Sequence, residues 1–71
     1  MKLAKELFEE LDFTITDETT EIWCKKSTFY IEFYKCSKCI ELIDELNAYE
    51  LNILLIKAIY QQLKELGWLD E

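Results

Sequence analysis

The stretch EIWCKKSTFYIEFYKCSKCIELI, residues 21–43, decides the fold. Apolar side chains recur at every second position: Ile22 and Cys24, then Phe29, Ile31 and Phe33, then Ile40 and Leu42. A period of two is the signature of a half-buried strand, because successive side chains point to opposite faces. With Phe13 and Ile15 added upstream, strands are expected near Phe13–Thr16, Glu21–Lys25, Thr28–Lys35 and Cys39–Ile43. Strict alternation predicts an antiparallel sheet with one covered face.

Two-residue connections at Glu18-Thr19, Lys26-Ser27 and Ser37-Lys38 would pair Ile15 with Ile22, Cys24 with Phe29, Ile22 with Ile31, and Phe33 with Leu42. All of these land on one face, and a slip of one residue would scatter them. None of the three loop pairs resembles Asn-Gly, which leaves room for loops a residue longer.

Helical patterns flank the strands. Leu3, Leu7 and Leu11, with Ala4 and Phe8, form one stripe over Lys2 to Leu11. Early lysines and late acids oppose the helix macrodipole, and the Lys2–Glu6 and Lys5–Glu9 pairs have the weaker orientation, so this helix should depend on docking. The closing helix is expected over Ala48 to Leu66, with Asn47 and Glu50 as a capping box and Gly67 as the left-handed residue after its end. Ala48, Leu55, Ile59, Leu63 and Leu66 would face the core, and Glu50, Lys57, Gln61, Lys64 and Glu65 the water. The whole chain then reads as one small α+β domain, residues 1–71, ordered α-β-β-β-β-α: an antiparallel meander with flanking helices.

Composition bounds the function. The 71 residues carry 15 acids and 8 lysines, with no Arg or His, for a net charge of −7. That field repels nucleic acid and anionic membranes and favours a basic partner, or it serves only to keep the domain soluble. The longest apolar run, Ile53 to Ile56, cannot span a bilayer. With three Cys and no secretory pattern at Met1-Lys2, the expected compartment is cytoplasmic, with reduced thiols.

Chemistry of sites is sparse. Cys36-Ser37-Lys38-Cys39 has CxxC spacing, but zinc takes about four ligands; only Cys24 remains, on the other face. In the assumed register Cys36 and Cys39 are cross-strand neighbours at a hairpin tip. A zinc- or thiol-dependent regulator through that pair is an alternative reading; no metal or cofactor is expected in the leading one. Without His, a Gly-rich loop or a partnered nucleophile, an enzyme is not expected. Glu32 and Glu41 read as exposed carboxylates on neighbouring strands.

The outer sheet face is more informative. There Trp23 would lie opposite Tyr30, with Tyr34 further along, Thr14 and Ile43 beside them, and Glu21, Glu32 and Glu41 as an acidic rim. An exposed aromatic strip marks a binding face, unless the rings only stabilise the sheet or the first helix folds over them. Ile53 and Leu54, with Tyr49, fall on the wet side of the closing helix, where a homodimer would use them.

The stretches AKELFEEL (Ala4 to Leu11) and AIYQQLKELGW (Ala58 to Trp68) resemble the two ends of short proteins of phages and prophages of low-GC Gram-positive bacteria. The resemblance implies phage or mobile-element origin and carries no site residues. The leading expectation is a non-catalytic interaction protein, possible in the sharp form of an acidic inhibitor or charge mimic acting on a nucleic-acid-binding host or defence protein. The alternative is a structural homodimer.

Overall fold

The structure, a computed structural model, describes residues 2–45 and 51–69. Helix α1 (Ala4–Glu10) leads into strands β1 (Thr14–Asp17), β2 (Glu21–Lys26), β3 (Phe29–Tyr34) and β4 (Cys39–Asp44), and helix α2 (Ile53–Glu65) follows. The strands form one antiparallel sheet in the order β1-β2-β3-β4, the meander expected of this α+β chain.

The register differs from the expected one. Ile15 pairs with Cys24, Ile22 with Phe33, Cys24 with Ile31, and Phe33 with Ile40. Each pairing is displaced by two residues from the simplest hairpin reading. A displacement of two keeps every side chain on its face, so the sorting of the two faces survives. The loops explain the displacement. Ser27-Thr28 closes β2–β3 as a two-residue loop in place of Lys26-Ser27, with Ser27 in a left-handed conformation (φ 55°). The β3–β4 loop is residues 35–38, closed by Lys38 N donating to the Tyr34 carbonyl at 2.9 Å with Lys38 left-handed (φ 56°). A primed turn needs left-handed backbone that Ser37-Lys38 does not favour at both positions, and a longer loop needs it only once.

Both helices pack on the Ile22, Ile31 and Phe33 side. Ala4 and Phe8 of α1 and Leu55 and Ala58 of α2 are buried there with Phe13, Cys24 and Phe29. Ring contacts run Phe29–Phe13 (5.9 Å), Phe13–Phe8 (5.6 Å), Phe8–Phe33 (6.3 Å) and Phe33–Trp68 (6.4 Å) between centroids, mostly edge-on, as aromatic quadrupoles prefer.

Each helix ends in the same way. Asp12 N donates to the Glu9 carbonyl and Phe13 N to that of Phe8, while Gly67 N donates to Lys64 and Trp68 N to Leu63. These are the paired bonds of a Schellman motif, with Asp12 (φ 68°) and Gly67 (φ 75°) in the left-handed position and an aromatic just beyond. Gly67 was legible in the sequence; Asp12 was not, because Asp lacks glycine's freedom there.

The helix starts differ further from the pattern expected of the sequence. Helix α2 begins at Ile53, with Asn52 Oδ1 accepting from Leu55 N at 2.9 Å, rather than at Ala48; Asn47, Ala48, Tyr49 and Glu50 lie outside the described residues. At α1, Leu3 has no side-chain acceptor, so only the reciprocal half of a capping box exists, with Glu6 Oε1 accepting from Leu3 N at 3.1 Å. Glu65, expected to face water, instead accepts from Ala4 N at 2.6 Å and from Gln61 Nε2 at 3.0 Å. A carboxylate from the last turn of α2 thus caps the first turn of α1 and answers its macrodipole. Lys2 pairs with Glu10 rather than Glu6. Gln62 lies buried on the core side of α2.

The helix layer leaves β4 bare. Ile40 and Leu42 point to the helix side, opposite Phe33 and Ile31, yet remain 37 % and 45 % exposed. The expectation that they join the core fails, because α1 and α2 sit over the other strands.

Three substitutions test the helix ends. Asp12→Gly should raise stability by about 1 kcal/mol, by removing a left-handed non-glycine residue, and Gly67→Ala should lower it by a similar amount. Glu65→Ala should cost about 1 kcal/mol through the lost cap. Urea unfolding curves measure all three.

Candidate partner-binding face

The sheet face away from the helices is built of three cross-strand rows. Thr14, Lys25, Tyr30 and Ile43 form one; Thr16, Trp23, Glu32 and Glu41 the next; Glu21, Tyr34 and Cys39 the third. The face therefore holds the expected Trp23, Tyr30, Tyr34, Glu21, Glu32 and Glu41 together. Their arrangement differs from the expected one. Trp23 lies opposite Glu32 rather than Tyr30, and Tyr30 lies between Lys25 and Ile43. Lys25, absent from the sequence-based site, sits with its Nζ 5.3 Å from the Tyr30 ring centre, within cation–π range. Its odd position in β2 was the signal that could have placed it there.

Trp23, Tyr30 and Tyr34 are half-buried rather than fully exposed, each shielded by its neighbours in the rows. A shallow hollow of about 270 Å³ lies beside them, lined by Thr14, Thr16, Glu18, Trp23, Lys25 and Tyr30.

The acidic part is less solvated than the sequence implied. Glu32, read as exposed, is only 5 % exposed, because Trp23, Tyr34 and Glu41 crowd it on the pleat. Burial pushes its carboxyl above the ordinary value of 4.5, and the nearby Glu21 and Glu41 push the same way. The Tyr34 hydroxyl bonds to Glu32 and pulls in the opposite direction. The same hydroxyl lies 3.5 Å from Glu41 Oε1. Held by Glu32 and surrounded by negative charge, Tyr34 is pushed up to about 12. Like charges directly opposed on neighbouring strands, as Glu32 and Glu41 are, weaken a sheet. This corner is thus strained electrostatically in the isolated protein.

The cysteines do not form the expected cross-strand pair. Cys39 opens β4 opposite Tyr34, and Cys36 lies in the loop before it. Both are exposed; Cys24 is buried in the core, and burial pushes its thiol up to about 12. Among the described residues, no group of three or more His, Cys, Asp or Glu comes together as a metal site. No helix among them is long and apolar enough to cross a membrane.

On the helix side, Ile53 and Leu54 are 63 % and 57 % exposed at the start of α2. Leu54 borders a hollow shared with Leu7, Glu10, Leu11 and Lys57. A larger groove of about 530 Å³ adjoins it, lined by Lys2, Leu7, Ile56, Lys57, Tyr60 and Gln61.

Comparison with protein-family models, curated proteins and solved structures returned no match.

Two titrations follow from this geometry. Glu32 has a raised value in the fold, so the native state holds its proton more tightly than the unfolded chain. Its contribution favours folding at low pH and is lost as pH rises from 4.5 through the raised value. Glu32→Gln should therefore stabilise the protein at pH 7, by about 0.5 kcal/mol from the like-charge pair alone, and flatten that part of a denaturation profile. Separately, Ellman's reagent should titrate Cys36 and Cys39 in the native protein and reach Cys24 only on unfolding.

Proposed function

We propose that the protein is a non-catalytic binding module that recognises a basic partner protein across its open sheet face. The observation that carries this reading is a face outside the helix packing on which three half-buried aromatics stand beside three carboxylates that repel one another. Trp and Tyr are effective interface anchors because they contribute large area at small entropic cost. A cation from a partner, placed at Glu32 and Glu41, would turn repulsion into attraction, and the free energy released would appear as affinity. The net charge of −7 adds long-range steering toward basic surfaces. Nucleic-acid-binding proteins present such surfaces, so a charge-mimicking inhibitor of phage or mobile-element type, acting on a host or defence protein in the cytoplasm, is the sharp form of the proposal.

The test is capture from bacterial lysate by wild type, Trp23→Ala, Glu41→Lys and Leu54→Glu. Proteins retained by wild type and Leu54→Glu should be lost from the other two, and duplex DNA should compete for them. Recovery of the same proteins by Trp23→Ala and Glu41→Lys would refute the face.

A second reading rests on α2. Leu54 borders a hollow that adjoins an apolar groove between the helices, Ile53 is exposed next to it in the chain, and a second copy would cover them as a homodimer. Light scattering should then give twice the 8.6 kDa chain mass for wild type and the single mass for Leu54→Glu; a single mass for wild type at millimolar concentration removes this reading.

A further inference from the structure

The geometry points to the edge of β4 as a docking site for an extended partner segment that alternates apolar and basic residues, pairing as a fifth strand. The inference rests on the reading above in one respect, that the partner is basic, and adds where and in what form it binds.

Strand β4 is an edge six residues long, with the sequence CIELID. Glu45 N donates to the Thr28 carbonyl, which fixes the alternation of the β3–β4 ladder. Residues 39, 41 and 43 therefore turn their backbone groups toward β3, and Ile40 and Leu42 turn theirs outward. The neighbouring ladder agrees, since Lys35 N donates to the Thr20 carbonyl from the opposite set of β3 positions. Edges are usually guarded by charged side chains, lysine above all, by proline or by a bulge. This one has no Lys or Pro, its register with β3 is unbroken, and its charges, Glu41 and Asp44, are both acidic, so they oppose an acidic strand and admit a basic one. Among the described residues it is also open on both sides: Ile40 and Leu42 toward the helices, and Ile43 toward the open face, are all exposed.

The chemistry of the occupant follows from the pleat. Residues of a fifth strand opposite Ile40 and Leu42 would point to the helix side and extend the apolar surface. The residue opposite Glu41 would point to the open face, in the row that already holds Glu32 and Glu41. A Lys or Arg there answers a like-charge pair that nothing in β4 can answer. A second copy of β4 fits less well, because it brings no cation and adds another −7 of charge. Main-chain bonds to Ile40 and Leu42 would give affinity, and the alternating side chains specificity.

The probe is the acetylated, amidated heptapeptide VKVKVKV, titrated into isotopically labelled protein, with VEVEVEV and the isomer VVKKVVK as controls. The readouts are amide hydrogen exchange at Ile40 and Leu42 and the indole resonance of Trp23. VKVKVKV should slow exchange at both amides; neither control should. Leu42→Pro removes an outward N–H without breaking the β3 ladder and should abolish the protection. Glu41→Lys, which leaves the backbone intact should the proline variant unfold, should weaken binding about tenfold. A shift at Trp23 without protection at Ile40 and Leu42 overturns the edge site and leaves the face reading standing. No response at either place overturns both. Equal binding of VEVEVEV overturns the basic partner, and protection that grows with protein concentration alone, with doubled mass, assigns the edge to a second copy and overturns the proposal.

Discussion

The run of ring contacts Phe29–Phe13–Phe8–Phe33–Trp68 holds the molecule together and decides which side of the sheet is covered. Phe8 and Phe13 are at once the hydrophobic contact of a Schellman motif and the hinge by which the chain leaves α1 and enters β1. Trp68 repeats the device at the end of α2 and lands on Phe33. Two local chain-reversal motifs thereby become long-range packing, and both helices are drawn to one face. The other face receives neither helix as a consequence, and its side chains shield one another instead.

That asymmetry shapes the electrostatics. Glu65 is spent on the α1 terminus, where a charge–dipole contact ties the helices together. The carboxylates of the open face have no such use inside the fold. Glu32 is buried among rings and beside two other acids, an arrangement that raises its proton affinity and weakens the sheet locally. A domain this small has little stability to spare, so keeping a strained acidic corner beside three aromatics is consistent with a use outside the molecule. The edge of β4, guarded only by acids, lies next to the same corner.

What the amino-acid sequence determined is the sorting of side chains between faces. Period-two alternation is a local property, and it holds under a displacement of two residues in every hairpin because two is the period of the pleat. The helix-end signal at Gly67 was equally local. The cross-strand partners were not legible, since they depend on loop closures in which Ser27 and Lys38 take left-handed backbone that their identities do not announce. Tertiary structure alone decided the burial of Glu32, the capping role of Glu65 and the bareness of Ile40 and Leu42. The cap and the bareness depend on where the two helices come to rest across the sheet, which packing between residues far apart in the chain sets, and the burial of Glu32 depends on the register that puts Trp23 and Glu41 on either side of it.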